Sequence, residues 1–239
     1  MRVAEFFKKI KANALQLVLP HLVAIYKDDG VDPNTAEQVA TGIAIIANGR
    51  SALLTAKHAL QGENFDEEPG DKSIFVSGAL RLIGELRSHE VCFAAHDDLA
   101  ILYVDEFSPK ECLPSSCLTY PYGPKKAVTI MGYLLRDFHR DRKIGVLRPA
   151  PRTYTNSWRN YGDGYVALRY PKNRNRSTDS GLRVTAARPH GLSGGPMLDA
   201  EMLANGRVSI IGIFTEAPRE LGIALGESSG KALSLISQM

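Results

Sequence analysis

Apolar residues recur along the chain in two rhythms. Near the start, Phe6, Phe7, Ile10, Ala14 and Leu17 fall three or four positions apart, the spacing of one helix face. Pro20 stops that pattern, so residues 1–20 are expected to form an amphipathic helix packed on the body of the protein. Beyond it the rhythm shortens. Runs rich in strand formers occupy 22–26, 38–46, 51–56, 73–76, 79–86, 91–95 and 99–104, with Asn48-Gly49 as a hairpin signal between the second and third. Residues 105–125 hold Pro109, Pro114, Pro121 and Pro124 and interrupt the pattern like a linker. A second group of runs follows at 127–134, 143–147, 165–170, 182–187, 207–214 and 221–225. A short helix is expected near 231–236. The pattern divides the chain into a helix (1–20), a first β unit (21–107), a linker (108–125), a second β unit (126–229) and a terminal helix (230–239). Short strands at this spacing predict an all-β protein of closed or folded-over antiparallel sheets.

Composition adds mainly exclusions. The 239 residues are 44% hydrophobic and 23% charged, which is ordinary for a globular chain and excludes a collagenous, coiled-coil or wholly disordered one. A net charge of +3 is too mild to argue for nucleic acid, and the basic loops 136–142 and 173–176 are read as solvated faces, so no nucleic-acid partner is expected. No apolar run reaches the roughly 18 residues of a membrane span. The basic N-terminus lacks a long apolar core, because Asn13, Gln16, Pro20 and His21 interrupt it, so it does not read as a signal peptide. Cys92, Cys112 and Cys117 are too few for a disulfide framework and have no nearby histidine pair for zinc. A reducing, cytoplasmic location is the simpler expectation.

The chemistry concentrates in His190-Gly-Leu-Ser-Gly-Gly-Pro196. Glycines around a serine let the backbone turn tightly and bring amide N–H groups beside the hydroxyl. A serine also needs a base, and the base an orienting group. His58 follows an apolar strand in Leu53-Leu-Thr-Ala-Lys-His58, and Asp98 opens another in Asp98-Leu-Ala-Ile-Leu102. An α/β-hydrolase elbow would need a histidine after the serine, and none follows Ser193.

In these three segments the chain resembles the trypsin-like (chymotrypsin-fold) serine peptidases. The family's histidine, aspartate and serine motifs stand here as LLTAKH, DLAIL and GLSGGP, in the family's order. The resemblance covers about residues 20–225 and implies two antiparallel six-stranded β-barrels with the active site between them. It implies a Ser-His-Asp triad of Ser193, His58 and Asp98, with Asp98 rather than Asp97 in phase. The backbone N–H groups of Gly191 and Ser193 become the oxyanion hole. Thr215 takes the position whose hydroxyl supports the aspartate. The implied activity is serine endopeptidase, acting on a protein or peptide substrate through an acyl-enzyme, with no cofactor or metal. The alternative is a silent trypsin-like module that binds peptides or a partner.

The departures carry information too. Leu192 stands where secreted members have an aspartate, and no Ile-Val-Gly-Gly start is present, so the zymogen switch is expected to be missing. Some other restraint is then needed, a regulatory partner protein among the candidates. By the same resemblance, Ala187, Arg188, Phe214 and Thr215 bind the residue before the cut. Ala187 replaces the aspartate that selects Lys or Arg, and Phe214 replaces the histidine of glutamate-specific members. The pocket is expected to be small and apolar, or to prefer an acidic residue if Arg188 turns inward.

Overall fold

The computed structural model describes residues 3–27, 37–61, 74–78, 82–85, 90–121, 125, 127–134, 139–140, 147–148, 151–159, 161–162, 164–171, 175–176, 183–184, 189–218 and 220–238. Helix α1 (Val3–Leu17) buries Ile10 and Ala14 and ends in a 3-10 turn, Leu19–His21, with Pro20 in its first positions. The missing N–H of proline is tolerated there, where it would have no helical partner. The strands of the first unit are β1 (Leu22–Lys27), β2 (Glu37–Ala47), β3 (Arg50–Thr55), β4 (Ile74–Gly78), β5 (Leu82–Glu85), β6 (Val91–Phe93), β7 (Ala100–Tyr103) and β8 (Leu113–Pro114). A single helical turn, α2 (His58–Gln61), follows β3.

These strands pair in the order β5-β4-β1-β2-β3-β7-β6, with β8 added in parallel to β2. Asn48 (φ 50°) and Gly49 (φ 78°) make the β2–β3 turn, as two positive-φ residues in a two-residue hairpin require. Among the described residues no pairing joins β5 to β6. The six-stranded barrel expected for residues 21–107 is therefore met as an open path of seven strands with β8 beside it. Part of the proline-dense segment 108–125 belongs to this sheet through β8.

The second unit closes. Its strands are β9 (Ala127–Tyr133), β10 (His139–Arg140), β11 (Leu147–Arg148), β12 (Pro151–Arg159), β13 (Tyr165–Arg169), β14 (Asn175–Arg176), β15 (Arg183–Val184), β16 (Pro196–Asp199), β17 (Ile210–Glu216) and β18 (Ile223–Ser228). Six of them form a closed antiparallel barrel in the order β12-β13-β18-β17-β16-β9, while β10–β11 and β14–β15 are separate antiparallel pairs of two-residue strands. Of the runs expected at 143–147 and 182–187, only 147 and 183–184 lie within the described residues. Helix α3 (Ala200–Ala204) is capped by Asp199, whose Oδ1 accepts the N–H groups of Glu201 (3.0 Å) and Met202 (3.2 Å). Helix α4 (Ser229–Ser237) ends the described chain.

One apolar cluster joins the parts. It contains Ile10 and Ala14 of α1, Ile43 of β2, Met131 and Tyr133 of β9, Ile213 of β17, and Ala232 and Ile236 of α4. The two β units and both terminal helices therefore share a core, and burial of that common surface fixes the seam between them. Asn13 Nδ2–H adds a hydrogen bond from α1 to the Leu203 carbonyl of α3 (2.7 Å).

Candidate functional site

The site lies on that seam. Strands β3 and β7 are antiparallel neighbours, with Thr55 opposite Ala100. Continuing the register past the end of β3 and before the start of β7 brings His58 and Asp98 to the same end of adjacent strands. Asp98 then grips His58 twice. Its Oδ1 accepts the His58 backbone N–H at 2.9 Å, and its Oδ2 accepts the ring Nδ1–H at 2.6 Å. The two side chains remain about a quarter and a fifth exposed (26% and 21%), so the pair is neither sealed in the core nor free in solvent. A carboxylate is acceptor-only, so it selects the tautomer with hydrogen on Nδ1 and leaves the Nε2 lone pair free.

Ser193 comes from the other unit. Leu192 N–H donates to Pro189 O (2.9 Å), closing a four-residue turn whose third residue, Gly191, has φ 90°. That position of a type II turn needs a left-handed residue, which is why glycine stands there. Among the described residues nothing accepts from the N–H of Gly191 or of Ser193. Gly194, with φ 85°, is constrained more severely. A Cβ on it would overlap the Thr41 carbonyl oxygen and Thr55 Oγ1. Gly194→Ala combines overpacking with a left-handed backbone. It is expected to destabilise the fold by about 3–4 kcal/mol, read as a lower urea midpoint.

Thr41 of β2 ties the two units together, and the sequence gives little sign of it. Fully buried, its N–H donates to Ser193 O (2.8 Å) and its hydroxyl donates to Gly191 O (2.6 Å). The same hydroxyl accepts from Tyr133 N–H (3.0 Å), and the Thr41 carbonyl accepts from the Thr55 hydroxyl (2.8 Å). On the far side, Phe214 exchanges backbone hydrogen bonds with the glycine pair: Gly194 N–H to Phe214 O (2.7 Å) and Phe214 N–H to Gly195 O (2.8 Å). The Ser193 turn is thus held between β2 and β17.

Thr215 is the extra residue of a β-bulge, because β17 and β18 shift register between Phe214 and Glu216. Its carbonyl accepts the Ser193 hydroxyl at 3.2 Å. No hydrogen bond joins Ser193 to His58 in this arrangement of the described residues. The Thr215 hydroxyl points to Leu225 O (3.5 Å) and not, as expected, to Asp98. Glu227 Oε1 accepts the Asp98 N–H at 3.4 Å. Phe214, expected beside the substrate, is 1% exposed and packs with the barrel core. Ala187 and Arg188 lie outside the described residues. Cys92, Cys112 and Cys117 are free thiols, and burial pushes all three above the ordinary cysteine range.

No helix among the described residues is long and apolar enough to cross a membrane. No protein-family model matches the chain, and no curated protein gives a significant sequence match. Solved structures do match. The thermostable serine protease AL20 from an extremophilic microorganism is similar at TM-score 0.58 and 13% identity, over 92% of this chain and 96% of that one. The MamO protease domain from Magnetospirillum magneticum, in its apo form, gives 0.54 and 16% over 92% and 97%. The Rv3671c protease from M. tuberculosis, in its active form, gives 0.52 and 16% over 95% and 84%. Together with the closed barrel, the sheet of β1 to β8 beside it and the seam between them, these likenesses establish that the chain has the trypsin-like, chymotrypsin-type fold of serine proteases.

Proposed function

We propose that the chain is a serine endopeptidase. The observation that carries this reading is the double grip of Asp98 on His58, together with a glycine turn that abuts Thr55 and Ala56 and whose two N–H groups have no acceptor among the described residues. On this reading Ser193 Oγ attacks the scissile carbonyl carbon while its proton passes to His58 Nε2. The carbonyl oxygen becomes an oxyanion, bound by the N–H groups of Gly191 and Ser193. Loss of one such donor typically costs about 3–4 kcal/mol of barrier. The imidazolium, stabilised by Asp98, hands its proton to the leaving amine as the C–N bond breaks. Water then repeats the sequence on the acyl-enzyme, which returns Ser193 and frees the acid product. The Ser193 hydroxyl, which donates to Thr215 O in this arrangement, must first turn toward His58. No step requires a cofactor or a metal.

The present direction of that hydroxyl favours a second reading, a silent module that binds peptides or a partner. A fluorophosphonate probe separates the two. The peptidase is labelled at Ser193, and Ser193→Ala is not; a folded wild-type chain that stays unlabelled supports the binding module. The raised thiols argue against a cysteine acting in place of the serine. Three unpaired cysteines fit a reducing, cytoplasmic setting, and a partner protein is one candidate for restraint without a zymogen switch.

Substrate choice extends the proposal. With Ala187 at the pocket floor no carboxylate pairs a buried cation, so cleavage after Lys or Arg is not expected. Small apolar residues such as Val, Ala or Leu are expected before the cut, with an acidic preference as the alternative if Arg188 turns inward. A peptide library scanned at that position reads the answer. Dominant cleavage after Lys or Arg overturns both versions, and an acidic preference that survives Arg188→Ala removes the role given to that arginine.

A further inference from the structure

Behind Asp98, on the side away from the histidine ring, sits a charged group that no triad chemistry requires. Glu227, at the end of β18, is 5% exposed, which is unusual for a carboxylate. Its Oε2 accepts from Lys231 Nζ of α4 at 2.6 Å, and its Oε1 is the acceptor for the Asp98 N–H. Lys231 Nζ also reaches Asp97 Oδ1 at 2.8 Å and lies 4.3 Å from the centre of the Tyr165 ring. Burial works against the charge of this lysine, but Asp97 and Glu227 together outweigh it and hold its pKa above the ordinary value. Gly164 leaves room for the lysine stem, since a Cβ there would crowd Lys231 Cε at 2.7 Å.

We propose that Glu227 and Lys231 are positioning residues. They fasten the Asp97–Asp98 segment of the first sheet to the second barrel, and their paired charges lie behind the carboxylate that holds His58. The inference rests on the peptidase reading for its importance but not for its test. Two carboxylates, Asp97 and Glu227, pair with one ammonium, and the Asp98 backbone N–H is held by the second of them. Among the described residues, the other charged and titratable groups nearby include Lys57, whose amine donates to Ala94 O (3.2 Å), exposed His96, and the rings of Tyr165 and Tyr120. Removing the lysine charge leaves an unbalanced anion behind Asp98, which favours the imidazolium. Removing the Glu227 charge does the opposite. A unit charge acting over roughly 8–10 Å near a protein surface moves a titration midpoint by about half a pH unit.

A cavity of about 420 Å³, lined by Asp97, Tyr120, Gly164, Ser228, Gly230 and Lys231, opens beside the pair. Water can enter there, so a carboxylate stripped of its lysine meets solvent as well as core, and the lysine variants are expected to fold.

The test uses the full chain and two readouts. One is the His58 ring titration followed by nitrogen-15 NMR. The other is the pH dependence of fluorophosphonate labelling. Lys231→Met is expected to raise both midpoints by about half a unit and to slow labelling about tenfold, because the Asp98 segment loses its anchor. Glu227→Gln is expected to lower the midpoints by a similar amount. Lys231→Arg and the double variant Glu227→Gln/Lys231→Met should return them close to wild type. Opposite shifts that cancel in the double variant support the pair, whereas a merely structural role would change thermal stability without that pattern. Midpoints that stay within 0.1 unit in both single variants, or that move the same way, overturn it. A wild-type chain that never labels removes the peptidase reading, while the NMR midpoints still decide the role of the pair.

Discussion

Ser193→Ala is expected to abolish fluorophosphonate labelling and to lower peptide turnover by about a million-fold, with His58→Ala costing as much and the double variant little more. The non-additivity is the informative part. A hydroxyl without a base and a base without a hydroxyl are equally idle, so the second removal finds little left to remove. What survives is the rate supplied by binding and by the Gly191 and Ser193 N–H groups, about a thousandfold over water or more. Ser193 is partly buried and donates only to the Thr215 carbonyl, so alanine there deletes one hydrogen bond and no packing of consequence. The variant should therefore keep its circular dichroism spectrum and melting temperature. Residual turnover within tenfold of wild type would mean that the chemistry belongs to another group.

Asp98→Asn is expected to cost about ten-thousandfold near neutral pH, through tautomer choice rather than lost geometry. The asparagine oxygen can still accept one hydrogen bond from His58, but its NH2 group must then face the other donor. Facing the ring, it turns Nδ1 into an acceptor and moves the hydrogen to Nε2, where a lone pair is needed. Asp97→Asn is the control. Asp97 is 29% exposed at its side chain, and the asparagine oxygen can still accept from Lys231 and keep the segment anchored, so this change should alter turnover less than about threefold. The reverse ranking would show that Asp97, not Asp98, orients the histidine.

The parts of this fold legible in sequence were those whose own residues carry the signal. Helix α1 shows its buried face in a three-to-four spacing, and β2, β3 and β7 are apolar because both sides are covered. The partners of such strands were less visible. Strand β12 opens on Pro151 and mixes Arg152, Thr153, Asn156 and Ser157; its strand state comes from seven paired positions along β9, a tertiary effect that no local window contains. Strand β16 hides behind the glycine motif, and α3 has only five residues. At the site, His58, Asp98 and Ser193 stood out because they sit in distinctive contexts, and the structure brings His58 and Asp98 into contact. Thr41 and Glu227 did not stand out. A threonine within an apolar strand and a glutamate near a chain end are common, and their significance lies in contacts made across 92 or more positions, such as Thr41 with Tyr133 and Glu227 with Asp98. The support assigned to the Thr215 hydroxyl failed for a related reason. The bulge turns that hydroxyl toward its own barrel, and bulges leave no clear mark in the sequence.

The hydroxyl of Thr41 reaches Gly191 across 150 positions of chain, which bears on when the site comes into being. During synthesis, a ribosome that has released the whole first sheet has released a histidine and an aspartate but no serine to activate. Contacts of such long sequence separation close late, after the local hairpins have formed. On the peptidase reading, the growing chain therefore carries no complete triad until the second barrel closes, and closure of that barrel and assembly of the site become a single event. On that reading, the order in which the chain is made keeps the proposed chemistry silent until the fold is complete.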